Sequence, residues 1–287
     1  MSSTPILALA LCAAAATASY GRCARRRTNA LATFKEGRYE TMRALEQAKR
    51  SSAAPPDGTA LWYLLQPDYS CEDTALVGHH FDDGAKYICN LHWLHRQRRP
   101  CVYYSFGVNG EIEFEAELVD LLPTCEMHAF DPTPSVRTGP SAKRLGDMGV
   151  HYHAWGLAGD NGTIELEATA VEAMTLGAVR ERLGHLDAPI DILKVDIEGH
   201  EWAAFDEMLR HCERDRPAAM QILVELHMYT VRGDGGIVHF TELRRKLERL
   251  SDSLHRCGYR CFSKDPNHYC HLCLEYGFVH ERFLQCQ

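Results

Sequence analysis

The chain predicts an α/β protein built on a doubly wound, mostly parallel sheet with a C-terminal antiparallel strand pair. Three observations carry this. Between Pro100 and Leu226, five apolar runs alternate with helical patterns, the order that builds a parallel sheet through right-handed crossovers. The run Ile190 to Asp196 is apolar almost throughout, as a strand covered on both faces must be. After a last amphipathic helix, Phe240 to Cys257, two strand-like runs, Tyr259 to Ser263 and Leu272 to Val279, close the pattern.

Residues 1–28 read as a targeting segment, because the first 35 residues contain no acid and the alanine-rich stretch Ile6 to Ala18 ends in Ala16-Thr17-Ala18, which suits a signal peptidase. Arg22, Arg25, Arg26 and Arg27 after the stretch also suit an organelle transit peptide. The expected location is the secretory pathway or outside the cell, with organelle import as the alternative. The stretch is shorter than the roughly 20 residues of a membrane span, so no stable span is expected. Residues 29–58 hold a charged helix, Asn29 to Arg50, and a linker, Ser51 to Gly58, that breaks it with Pro55, Pro56 and Gly58. The folded domain is expected over residues 59–287, with Trp62 to Leu65 as an apolar packing element.

Within that domain the pattern reads strand Cys101 to Phe106, helix Glu111 to Leu122, strand Glu126 to Phe130, helix Ser141 to Met148 and strand Val150 to Trp155. It continues as helix Val171 to Leu183, strand Ile190 to Asp196, helix Glu201 to Cys212 and strand Met220 to Leu226. No internal repeat is apparent. With 45% hydrophobic and 24% charged residues the composition is that of a globular protein, and the net charge of −8 argues against nucleic acid as a partner. The basic stretch His95 to Arg99 reads as a solvated loop.

Twelve cysteines are many for a reducing compartment, and disulfides fit an oxidising one. The C-terminal group Cys257, Cys261, Cys270 and Cys273, with His268 and His271, has zinc-like spacing, but Cys261 and Cys273 fall inside apparent strands and favour disulfides or buried thiols. His79 and His80, and the pair His92 and His95, read as surface or packing residues, since spacing specifies no third ligand and hence no metal site.

The chemistry concentrates where strands end. Asp196 and Glu198 follow the apolar run, and on an extended chain residues two apart point the same way, able to share a cation or a substrate hydroxyl. The plainer alternative is that Glu198 and Glu201 serve the first turn of the next helix. The strand ending at Phe106 runs through Gly107 to Gly110 into a helix, a turn that lets a ligand approach free backbone N–H groups. The next strand ends Phe130-Asp131-Pro132-Thr133, placing an acid beside that turn, where a carboxylate accepts hydrogen bonds from ribose hydroxyls. His227, just past the fifth strand, is a further candidate.

These residues carry a resemblance. Tyr104 to Gly107, Phe130 to Thr133, Trp155 to Leu157 and Leu193 to Glu201 resemble the FkbM-related class I S-adenosylmethionine-dependent methyltransferases, and most of all their methyltransferase-like protein twenty-four type. The similarity extends to Asp83 to Cys89, Val224 to His227 and Glu275 to Val279, covering roughly Cys71 to Val279. It implies a Rossmann-like fold and S-adenosyl-L-methionine as cofactor. By the resemblance, Gly107 borders the methionine part of the cofactor, Asp131 holds the ribose, and Trp155 and Gly156 border the adenine. Asp196 and Glu198 then face the methyl group's exit and the acceptor, with His200, Glu225 and His227 as partners and His227 counted with the two acids among the catalytic candidates. The function expected is O-methylation of a small molecule or glycan. Two other readings stay open: a metal-dependent glycosyltransferase-like enzyme using Asp196 and Glu198, and a non-enzymatic secreted binding module. The sequence leaves the oligomeric state open.

Overall fold

The computed structural model describes residues 65–79, 84–97, 99–210, 212, 214–228, 240–267, 269–270 and 272–285. The expected targeting segment, charged helix and linker, most of the Trp62 to Leu65 element, and His80, Asp83, His268 and His271 lie outside them. In chain order the elements are β1 (Thr74–Val77), β2 (Lys86–Cys89), α1 (Leu91–Arg96), β3 (Val102–Phe106), α2 (Glu113–Leu121), β4 (Glu126–Phe130), α3 (Pro134–Thr138), α4 (Pro140–Asp147) and β5 (His151–His153). Then come β6 (Gly156–Leu157), β7 (Gly162–Leu166), β8 (Thr169–Met174), α5 (Leu176–Arg182), β9 (Ile192–Val195), α6 (Glu201–Met208) and β10 (Gln221–His227). The last are α7 (Phe240–Arg256), β11 (Tyr259–Pro266), β12 (Cys273–His280) and α8 (Glu281–Gln285).

The main sheet has the order β11-β12-β10-β9-β3-β4-β5. Strands β10, β9, β3, β4 and β5 are parallel, while β12 runs antiparallel to both β10 and β11. The predicted fold class and its terminal antiparallel pair are both present. Strand order reverses at β3 and β9, which makes the crevice beyond their carboxyl ends the place where an open α/β sheet binds ligands.

Alternation along each strand explains the continuous apolar runs. Val102, Tyr104 and Phe106 of β3 join Leu193 and Val195 of β9 in a core on one face, packed by α5, α6 and α7, while Tyr103 and Ile192 turn to a second core with Ile88, Phe114 and Leu118. Leu243, Leu247, Leu250 and Leu254 keep α7 on the first face at helical spacing, each 5% exposed or less.

The stretch predicted as one helix from Val171 to Leu183 is instead β8 followed by α5. Strand β8 pairs antiparallel with β7 and parallel with β6 in a separate three-stranded sheet. The β7–β8 turn uses Glu167 at φ 48° and Ala168 at φ 55°, left-handed positions normally signalled by Asn or Gly, so the hairpin carries no sequence mark. The hairpin of β1 and β2 was not predicted either.

Four cysteine pairs are joined, Cys71 with Cys89, Cys101 with Cys125, Cys212 with Cys257 and Cys270 with Cys273, and Cys261 is a buried free thiol. The C-terminal cysteines thus form disulfides and a buried thiol rather than a zinc cluster. Arg99, read as part of a solvated loop, clamps the buried Asp191 carboxylate with contacts of 2.9 and 2.5 Å. Among the described residues no helix is long and apolar enough to cross a membrane.

Candidate active site

A cleft enclosing about 1030 Å³, its open mouth included, lies beyond the carboxyl ends of β3, β4 and β9. One side is the glycine turn after β3. Gly107 has φ 81°, and a Cβ there would land on the carbonyl oxygen of Asp196. Glycine is therefore demanded first by the neighbouring strand end, and the ligand-facing backbone of Val108 and Asn109 follows from that turn.

The turn is held by Asp131. Its Oδ2 accepts from the backbone N–H of Val108 and of Asn109, both at 2.9 Å, and its Oδ1 accepts from that of Thr133 at 2.9 Å. A carboxylate offers about four acceptor positions, so three are used by the protein. Oδ1 keeps a second position. Gly156, Phe130, Pro132, Leu157, Ile164 and Leu166 add an apolar wall to the same cleft. Trp155 does not line it. Its ring stacks on His153 at 4.6 Å and lies under the Arg182 guanidinium at 4.1 Å.

The opposite wall is acidic. Asp196, Glu198, His200 and Glu225 line the cleft, as does His79, which the sequence suggested was a surface or packing residue. Strand β9 ends at Val195 and Glu198 has φ 54°, so Asp196 and Glu198 are not on one extended chain. They still converge, because His227 Nε2 stands 4.0 Å from Asp196 Oδ1 and 3.6 Å from Glu198 Oε2. His227 is itself 2% exposed and lies behind the cleft wall. Its Nδ1 pairs with Glu201 Oε1 at 2.9 Å, and the same oxygen accepts from the N–H groups of Ile197 and Gly199. Glu201 is thus the clasp of the turn after β9, beyond its role in the helix's first turn.

Behind the wall stands Lys86 of β2, a residue sequence reasoning gave no role. Its ammonium is 3.3 Å from Asp196 Oδ2 and pairs with Glu275 of β12. Asp196, Glu225 and Glu275 bring carboxylate oxygens within 4.8 Å of one another, and Lys86 supplies their positive charge. Burial pushes Asp196 toward a higher pKa, but the charges of Lys86, Lys194 and His227 outweigh it and hold the carboxyl below its usual range. Burial together with the charges of Asp196 and Glu275 raises Glu225 to about 8. Burial alone would lower His227, yet the hydrogen bond and charge of Glu201, with Asp196 and Glu225, raise it to about 9. The lysine inside the apolar run, Lys194, donates to the Gly107 carbonyl at 2.8 Å and stands 3.6 Å from the fully buried Glu115. Only pairing across β2, β9, β10 and β12 reveals this network, since its members are up to 189 residues apart.

A family model for a methyltransferase domain matches residues 30–280. The chain belongs to this family. Among curated proteins, the methyltransferase domain is 28% identical over 170 residues to "Probable methyltransferase-like protein 24" of Homo sapiens, covering 55% of this chain and 43% of that protein. It is 26% identical over 160 residues to the Rattus norvegicus protein of the same name, covering 53% and 41%. The matched stretch is under half the length of either relative. Among solved structures, precorrin-6y C5,15-methyltransferase from Geobacter metallireducens aligns at 14% identity and TM-score 0.34, over 66% of this chain and 84% of that one. Methyltransferase CalO6 aligns at 11% identity and TM-score 0.34, over 66% and 60%.

Proposed function

We propose that this methyltransferase domain uses S-adenosyl-L-methionine and methylates a hydroxyl oxygen of a small molecule or glycan. The observation that carries the reading is the two-sided cleft at the point of strand reversal. One side is a glycine turn pinned by Asp131 beside an apolar wall, and the other is a set of carboxylates. The first side fits the cofactor: backbone at Gly107 to Asn109, one acceptor position on Asp131 for a ribose hydroxyl, and Gly156, Leu157, Ile164 and Leu166 for the adenine. When bound, the cofactor supplies a sulfonium-activated methyl group for in-line displacement.

The protein's share is alignment and removal of one proton. Asp196, ionised and held by Lys86, accepts a hydrogen bond from the acceptor hydroxyl and orients it. Glu225, with a pKa near the working pH, takes the proton, since a base is most effective there. His227 is cationic at neutral pH and so receives no proton; it keeps Asp196 and Glu198 in place by charge. Glu198, 66% exposed on its side chain, meets the acceptor's outer part. Four disulfides support a secretory or extracellular location. The motif Leu193 to Glu201, at the end of β9, supports placement among the FkbM-related methyltransferases.

The test is calorimetric titration of the full chain with S-adenosylhomocysteine, alongside Asp131→Ala. Binding in the low micromolar range, about −8 kcal/mol, that the substitution weakens supports the reading. A folded chain that does not bind overturns it.

A further inference from the structure

At the far end of β4 from the cleft lies a cluster of histidines with no part in the chemistry above. Glu126 and His128 are two apart on that strand and face the same way. His185 joins them from the connection between α5 and β9. We infer that Glu126, His128 and His185 form a binding site for a first-row divalent cation of the zinc type, separate from the methyl-transfer cleft.

The spacing carries the inference. Glu126 Oε1 is 3.1 Å from His128 Nε2 and 3.4 Å from His185 Nε2, and all three ligand atoms lie within 4.8 Å of one another. Zinc bonds of about 2.0–2.1 Å in tetrahedral geometry set neighbouring ligand atoms roughly 3.3 Å apart. A hydrogen bond to the carboxylate needs one imidazole; here two converge on the same oxygen.

The second ring nitrogens are already engaged. His128 Nδ1 meets His153 Nε2 at 3.0 Å, and His185 Nδ1 meets the Tyr104 hydroxyl at 2.6 Å. Such outer partners fix ring orientation around bound metals, and here they leave each Nε2 pointed at Glu126. His151 stacks on the His128 ring at 5.0 Å and closes one side. The Glu126 side chain is 44% exposed, so a cation enters from solvent and keeps one position open to water.

Two imidazoles and one carboxylate select zinc, copper, nickel or cobalt over magnesium or calcium, which prefer all-oxygen sets. The site stands about 13 Å from the cleft end of β4, at roughly 3.3 Å per residue. A metal there clips β4 to the α5–β9 connection and acts on stability rather than on the methyl group.

The experiment is titration of the metal-stripped full chain with zinc chloride against a chromophoric chelator, with thermal unfolding recorded in parallel. Glu126→Gln and His185→Ala are compared with the unaltered chain; the first changes a half-exposed side chain and preserves the fold. The site predicts one zinc equivalent bound at least tenfold more weakly in both variants. It also predicts a zinc-dependent rise in melting temperature that both lose, and no such rise with magnesium chloride. Equal zinc stoichiometry and affinity in all three proteins, or no zinc bound by the unaltered chain, overturns the inference. Zinc held elsewhere on the chain cancels in this comparison.

Discussion

His227 Nδ1 and Glu201 Oε1 meet at 2.9 Å across 26 positions of sequence, with both side chains buried. Strand β10 delivers the histidine and the first turn of α6 delivers the acid. Because that bond fixes the ring, the other nitrogen, Nε2, is committed to the carboxylates of Asp196, Glu198 and Glu225. The arrangement makes stability and reactivity depend on pH in opposite directions.

Stability should fall as pH rises. His227 has its folded pKa raised from 6.5 to about 9, so its contribution is complete below about 6.5 and vanishes as pH passes 9. That contribution is on the order of 3 kcal/mol at 1.36 kcal/mol per pKa unit. Glu225 acts in the same sense, since burial lifts its carboxyl from 4.5 to about 8 and ionising it in place costs stability over that interval. Urea midpoints at pH 6 and pH 9 check this. The unaltered chain should lose stability between them, and His227→Gln should start lower at pH 6 and lose less.

Turnover should rise with pH over the same range. If Glu225 receives the acceptor's proton, methyl transfer grows as that carboxyl ionises, with a midpoint near pH 8 set by the coupled carboxylates together. Glu225→Gln should flatten the profile and reduce kcat by about 10²-fold or more. Asp196→Asn should lower kcat at every pH with the slope retained. The check is the rate of radiolabelled methyl incorporation, and a sloping profile in Glu225→Gln would remove that residue from the proton's path.

Removing the Asp131 carboxylate should affect the turn and the cofactor together. Asp131→Ala leaves the N–H groups of Val108, Asn109 and Thr133 without their acceptor, at about 1–3 kcal/mol for each one left buried and unsatisfied. S-adenosylhomocysteine should bind at least tenfold more weakly, measured by calorimetry, with a lower melting temperature in the same sample. Asp131→Asn should lie between, because its amide oxygen still accepts while its nitrogen cannot.

Gly107→Ala should be severe. The position combines φ 81° with a Cβ direction occupied by the Asp196 carbonyl, so two strand ends must separate to admit one methyl group. A loss of about 3 kcal/mol or more is expected. Chemical denaturation measures it, and a near-native midpoint would show that the turn rearranges freely.

Much of the framework was legible because burial on two faces writes itself into a strand as an uninterrupted apolar run. The end of β4 at Phe130 followed by Asp131 was placed correctly for that reason, and β9 ends at Val195, one residue short of the Asp196 predicted as its last. The hairpin of β7 and β8 was not, because Glu167 and Ala168 adopt turn conformations their side chains do not advertise. Trp155 was expected at the cleft from the family resemblance, yet its ring stacks on His153 and lies under Arg182. Side-chain direction just after a strand is set by what packs there, which adjacency in sequence does not record.

By itself the sequence determined the order of the five parallel strands, the mostly parallel sheet with its antiparallel end, and the acids at strand ends, whereas the β1–β2 and β7–β8 hairpins left no such mark. Those features follow from local periodicity and from the rule that buried strands must be apolar. Only the tertiary structure decided that Lys86, Glu225 and Glu275 join Asp196, that His227 stands behind the wall, and that His128 and His185 converge on Glu126. Such meetings depend on strand order and register, which bring residues far apart in the chain within hydrogen-bonding distance without leaving a local pattern to read.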